Sequence, residues 1–276
     1  MNTRGFPLRS TLMAGASVAA AAIGFAPTAM AGNIVLTGHD NDFHCFFGHS
    51  STCDTLNAEA KFVAGGAGAN ILVIDEGSNE LSSSLTTLGF NVTTKTVAGV
   101  AAADFDHSLY GAFAVASVTT CGGCDLPPGS GTVLAGFSAA IASFFNAGGG
   151  ILGMSGAGDP NAFDYVPESG GTTTAIFSSS GFVATADGLA GIPGFDAVNG
   201  DETHNTFSGF SSFYKVAETF GEGGDAVTIF GTGGRITCTG AGCTITGVPE
   251  PASLSLLGAG LFGLAAVRRR RQRRAA

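Results

Sequence analysis

Basic residues are nearly missing from the body of this chain. Between residues 32 and 247 they are limited to Lys61, Lys95, Lys215 and Arg235, while the whole chain carries 21 Asp and Glu. Such a surface repels nucleic acid and anionic membrane, and no basic stripe is available to track phosphates. No apolar run is long enough to cross a bilayer comfortably. Repeats are lacking too: the 44 glycines follow no fixed period, which excludes a collagen or solenoid pattern. A dinucleotide fingerprint needs strand, glycine loop and helix in that order. Here Gly65-Gly66-Ala67-Gly68 precedes its strand, so neither nucleotide nor nucleic acid is an expected partner.

The other basic residues sit at the two ends. Arg4 and Arg9 precede a small apolar run, Thr11 to Phe25, that closes on Ala29-Met30-Ala31. Basic start, short apolar stretch and A-x-A site together predict an N-terminal signal helix over 1–31, removed by signal peptidase. At the other end, Pro249-Glu250-Pro251 leads into an apolar stretch, 252–267, and then Arg268, Arg269, Arg270 and Arg271, with Arg273 and Arg274 beyond. As a helix, sixteen residues span about 24 Å at roughly 1.5 Å per residue. A hydrocarbon core is about 30 Å thick. The expectation is a C-terminal transmembrane helix that anchors transiently, with the arginines kept cytoplasmic. Residues 32–247 are then the exported domain and 248–276 the sorting segment.

This Pro-Glu-Pro, apolar helix and arginine cluster, Val248 to Arg274, closely resembles the PEP-CTERM sorting signal. The resemblance implies cleavage near Pro249–Pro251 by an exosortase-type membrane protease. It also implies a Gram-negative host that makes exopolysaccharide, transient residence in the inner membrane, and delivery to the cell surface or matrix.

Six cysteines fall into three close pairs, Cys45/Cys53, Cys121/Cys124 and Cys238/Cys243. In an exported chain, local disulfides are the default. Six cysteines allow about fifteen connectivities, and proximity favours the three local ones. A redox C-x-x-C opens a helix directly. After Cys124, Pro127, Pro128 and Gly129 intervene, so a structural disulfide is the reading there.

Short apolar runs with turn residues on both sides predict strands at 33–37, 70–75, 90–97, 113–118, 150–154, 181–185 and 226–230. Helical spacing lies between them at 79–88, with Leu81, Leu85 and Leu88 on one face, and at 133–145. The alternation predicts an α/β fold: a doubly wound, mostly parallel, flavodoxin-like sheet covered on both sides in three layers. Residues 156–225 read as loop-rich. In such sheets, sites form at the carboxyl ends of the strands. That rim would collect Gly38-His39-Asp40-Asn41-Asp42-Phe43-His44, Asp75-Glu76-Gly77, Cys121 to Cys124, and Gly153 to Pro160.

The order strand, Gly-His-Asp, helix ending Leu88-Gly89-Phe90, long helix, then Gly148 to Gly153 is similar to class I glutamine amidotransferase-like domains over about residues 33–230. Within them it is closest to the trehalose-utilisation (ThuA-like) branch, which often carries an acidic motif where Asp201-Glu202-Thr203-His204 stands. Glutaminases place a nucleophilic Cys after the fifth strand. This chain has Ser155 there, which argues against glutaminase chemistry.

Two constellations carry candidate chemistry. Gly153-Met154-Ser155-Gly156-Ala157 nearly matches a nucleophile elbow. Ser155 would then need His204 as base and Asp201 or Glu202 as orienter, giving an extracellular hydrolase of a sugar, amide or ester. His39, Asp40 and His44 have donor types suited to zinc, and Asp40-Asn41-Asp42 has the oxygen donors of a calcium loop. Cys45 replaces the glycine an EF-hand needs at its sixth position. A third reading is an acidic matrix component that binds calcium or exopolysaccharide. The expectation is thus a surface or matrix protein whose amidotransferase-like domain lacks glutaminase activity, with these as the alternatives.

Overall fold

The computed structural model describes residues 31–118, 126–156, 158–200, 204–240 and 242–247. The first strand, β1 (Ile34–Thr37), leads into α1 (Asn41–Phe46) and α2 (Ser50–Ala64). β2 (Asn70–Ile74), α3 (Glu80–Thr87), β3 (Asn91–Lys95) and β4 (Ala112–Val115) follow. Two helices, α4 (Ser130–Ala135) and α5 (Ser138–Asn146), precede β5 (Gly150–Met154). These five strands run parallel in the order β3-β2-β4-β5-β1.

The expected parallel α/β core is present, with every strand near its anticipated place. Its order differs from the flavodoxin order 2-1-3-4-5, because β1 closes the parallel set beside β5. There it is paired on both edges, with β5 and with a later antiparallel strand. All four of its residues, Ile-Val-Leu-Thr, are buried, as a strand covered on both faces requires.

Side chains alternate along β5, and this separates the layers. A Cβ on Gly149 would strike the Phe144 ring of α5, and one on Gly150 would strike the Val63 backbone of α2. Helices α5 and α2 therefore cover opposite faces. The glycines allow that approach, since any larger residue would push a helix away. α2 ends at Gly65, which takes the left-handed conformation at φ 80° that a terminating glycine supplies.

Of the second half of the sheet, only the strands at 181–185 and 226–230 were read from the sequence. The segment taken as loop-rich contains β6 (Gly171–Ile176), β7 (Phe182–Ala184), α6 (Ala186–Gly191), β8 (His204–Ser208) and β9 (Lys215–Phe220). With β10 (Asp225–Gly231) these strands add an antiparallel half and make a ten-stranded sheet. Their Thr, Ser and Gly content obscures the period-two pattern. The helix expected at 133–145 is two helices, broken at Gly136 and Phe137.

A separate hairpin, β11 (Gly234–Thr239) with β12 (Gly242–Gly247), packs on α5. Asn146 anchors it by donating to Ile236 O at 2.7 Å and accepting from Ile236 N at 2.9 Å. Disulfides join Cys238 to Cys243 across the hairpin and Cys45 to Cys53 between α1 and α2. Two of the three expected local pairs are thus formed. Cys121 and Cys124 lie outside the described residues. So do the signal helix over 1–30, Pro249, Glu250, Pro251, the apolar stretch and Arg268 to Arg271. Among the described residues, no helix is long and apolar enough to cross a membrane.

Candidate functional site

The carboxyl ends of β1, β2, β4 and β5 do meet, and most of their polar side chains are buried. β1 leaves through Gly38, whose backbone presses against β8. A Cβ there would collide with the Asn205 carbonyl. Asn205 N donates to Gly38 O at 2.8 Å, and His39 then bridges antiparallel to His204. Gly38→Ala is expected to force this seam apart and to destabilise the domain by about 1–3 kcal/mol, read as a lower midpoint in denaturant unfolding.

His39 is 1% exposed and His204 0%, so every polar atom of their rings needs a protein partner. His39 Nδ1 meets His204 Nδ1 at 2.6 Å, and His39 Nε2 meets Glu218 Oε2 at 2.6 Å. Thr228 Oγ1 donates to the same Glu218 oxygen at 3.0 Å, and Val198 N donates to Oε1 at 2.7 Å. Thr37 Oγ1 lies 2.9 Å from Thr228 Oγ1 and accepts from His39 N at 3.2 Å. Phe182 of β7 stands edge-on to both imidazoles, with ring centres at 5.0 and 4.3 Å. The network ties β1 to β8, β9 and β10.

Beside it lies a group of buried carboxyls. Asp42 Oδ2 accepts from Ser117 N at 2.7 Å. Burial, with the neighbouring charges of Asp40 and Asp75 adding to it, pushes the Asp42 carboxyl up to about 7. Glu59 of α2 accepts from Asn41 Nδ2 at 3.1 Å and is pushed up by burial to about 8. Asp75 is also raised by burial, although it accepts from Glu76 N at 2.9 Å and Ser82 N at 2.8 Å. The Ser82 bond satisfies an otherwise unpaired amide in the first turn of α3.

The two sequence-derived constellations separate. His204 and Asn205 are neighbours on β8, so their side chains point to opposite faces. The Ser155 hydroxyl accepts from Asn205 Nδ2 at 2.9 Å and donates to Gly156 O at 3.0 Å. Asn205 Nδ2 also reaches Gly156 O. His204 turns instead to His39 and, through Nε2, to Ser178 O at 3.1 Å. Asp201 lies outside the described residues. Of the three metal candidates, His39 spends both ring nitrogens on His204 and Glu218, while Asp40 Oδ1 pairs with His44 Nε2 at 3.4 Å. Among the described residues no group of three or more His, Cys, Asp or Glu is arranged to hold a metal ion. The donor set for zinc or calcium is therefore not assembled there.

Glu218, Thr228 and Asn205 were missed by sequence reasoning. The available signal was a buried acid inside Lys215-Val216-Ala217-Glu218-Thr219-Phe220, where a strand pattern would place it inward. A surface cavity of about 650 Å³, lined by Phe105, Asp106, His107 and Phe144 among others, lies at the opposite ends of β4 and β5.

Comparison with known proteins identifies the C-terminal segment. Residues 247–271 match the PEP-CTERM protein-sorting motif. The motif marks an exported protein that exosortase processes and that is sorted to the cell surface. No curated protein and no solved structure matches the chain. The amidotransferase-like resemblance of residues 33–230 accordingly finds no support among known relatives.

Proposed function

We propose that the chain is an exosortase substrate whose amidotransferase-like α/β domain is delivered to the cell surface or extracellular matrix and acts there without glutaminase activity. The sorting motif at 247–271 carries this reading. Support for the missing glutaminase step comes from Ser155. It stands where that chemistry needs a thiolate, and its hydroxyl is engaged by Asn205 and Gly156. A surface or matrix role also suits the excess of acid over base, which favours solubility and repels anionic lipid.

The test is to express the full chain in an exosortase-bearing host and weigh the surface form by mass spectrometry. The expected species lacks the arginine cluster and the apolar stretch, and it releases no ammonia from glutamine. A surface form that retains Arg268 to Arg271 would overturn the processing step. Glutamine hydrolysis that disappears in Ser155→Ala would overturn the other half of the reading.

A further inference from the structure

The hairpin of β11 and β12 leaves one of its two edges open. In an antiparallel ladder, alternate residue pairs turn their main-chain groups away from the partner strand, and these are the pairs with the closer Cα atoms. Ile236 identifies that set on β11, because its N–H and C=O both turn outward to Asn146. Ile236 stands opposite Ile245; two residues along on either side, Cys238 stands opposite Cys243 and Gly234 opposite Gly247. A Cα separation of 4.0 Å between Cys238 and Cys243 fits the close class. On β12 the outward main-chain groups therefore belong to Cys243, Ile245 and Gly247. Asn146 caps the outer edge of β11. Among the described residues, no main-chain group from another segment pairs with Cys243, Ile245 or Gly247.

An open edge invites another strand unless lysine, proline or a bulge blunts it. The edge strand β3 ends in Lys95, and β6 carries a register shift against β8. β12 has no lysine, no proline and an unbroken register. Two cavities, of about 370 and 360 Å³, lie along it. Cys243 lines the first, Ile245 and Gly247 line the second, and Glu168 lines both. The wall that carries Glu168, residues 164–170, is pinned. Glu168 O accepts from Ser211 N at 3.0 Å, and Pro167 O accepts from the Tyr214 hydroxyl at 2.9 Å. Asp164 and Glu168 are exposed on this wall. Among the described residues neither has an ion-pair partner, and no Lys or Arg lines either cavity. Arg235 belongs to β11, one strand further away.

We propose that the slot between β12 and residues 164–170 receives an extended, lysine- or arginine-bearing peptide segment of a partner protein, which adds to the hairpin as a third strand. The outward N–H and C=O groups of Cys243, Ile245 and Gly247 supply the main-chain bonds, and such bonds give affinity whatever the peptide's sequence. Asp164 and Glu168 supply the selection, since opposite charge is drawn in and like charge is turned away. A second copy of this chain is a poorer occupant. Its β12 carries no basic residue, and it would bring a second pair of acids to the same slot. Docking of this kind needs neither the sorting step nor any catalytic group.

The test uses the full-length chain and three short labelled peptides: one alternating lysine and valine, one alternating glutamate and valine, and the first again with every amide N-methylated. Fluorescence anisotropy should show the lysine peptide bound and the other two weaker by about ten-fold or more. Amide hydrogen exchange at Cys243, Ile245 and Gly247 should slow by about ten-fold on binding, while β3 and β6 keep their rates. Gly247→Pro removes one outward N–H at a position where an added Cβ meets nothing, and it should weaken binding by about ten-fold. Glu168→Gln should weaken it by about five-fold. Equal binding of the N-methylated peptide would mean that no strand is added, and equal binding of the glutamate peptide that the acids select nothing; either overturns the proposal. So would slowed exchange elsewhere with these three amides unchanged, or a dimer in sedimentation without peptide whose β12 amides are already protected. Should Gly247→Pro lose its hairpin, the N-methylated peptide against the wild type still decides.

Discussion

Glu218→Ala is expected to remove roughly 3–5 kcal/mol of folding stability, the range seen when one partner of a buried charged network is deleted. The carboxylate is 0% exposed and meets His39 Nε2, Thr228 Oγ1 and Val198 N. Alanine leaves all three without an acceptor in a place water does not reach. An unsatisfied buried donor costs more than the net worth of the bond it has lost. The damage falls on the joint between the parallel and antiparallel halves, because the three donors come from different segments. Glu218→Gln keeps the shape and one acceptor oxygen, so its loss is expected to be smaller than that of alanine. Denaturant unfolding at pH 7.5 gives both numbers. A cost below about 1 kcal/mol for alanine, the scale of a surface ion pair, would mean that the network holds nothing together.

Glu59→Gln is expected to stabilise the protein, and only on the alkaline side. Burial raises the Glu59 carboxyl from its ordinary 4.5 to about 8 in the folded chain. Between those values the folded state holds a proton that the unfolded state has released. Stability from this group is therefore fully present below about pH 4.5 and is lost as pH rises toward 8, by about 1.4 kcal/mol per pH unit. Glutamine has the same shape and never ionises. The variant is expected to match the wild type at pH 4.5 and to exceed it by roughly 3–5 kcal/mol at pH 8. Asp42, pushed up to about 7, gives the wild type a further slope of the same sign. Equal stability of Glu59→Gln and wild type at pH 8 would show that Glu59 is ionised without penalty in the fold.

The parallel core was legible because its strands are buried on both faces and read as short apolar runs. Ile71 to Ile74 and Ala112 to Val115 have nothing else to do than pack. α2 escaped notice for the opposite reason. Its inward face carries Thr52, Thr55 and Glu59, all buried, so the helical spacing of Leu56, Ala60 and Val63 is interrupted by polar residues. Of the antiparallel strands, β7 and β10 showed as apolar runs, while β6, β8 and β9 escaped: half-buried strands alternate, and a run such as Gly171-Thr172-Thr173-Thr174-Ala175-Ile176 shows little contrast between its faces. The rim at the ends of β1, β2 and β5 was placed correctly, since the carboxyl ends of parallel strands follow from strand order and direction alone; its Cys121–Cys124 part lies outside the described residues. What the rim residues do with their side chains did not follow. Ser155 and His204 looked like nucleophile and base, yet period-two geometry on β8 hands Ser155 to Asn205 and His204 to His39.

The route this protein takes was determined by sequence alone. A sorting motif is a linear signal of a turn, an apolar stretch and a basic end, and every part of it lies within residues 247–271. The same holds for the local disulfides Cys45–Cys53 and Cys238–Cys243, with separations of 8 and 5 residues. The partners of His39 were decided by tertiary structure. His204 stands 165 residues away and Glu218 179, and Thr37 meets Thr228 across 191. No local pattern encodes such pairings. They exist because β10 returns to pair with β1, bringing two distant strands to the end of a third.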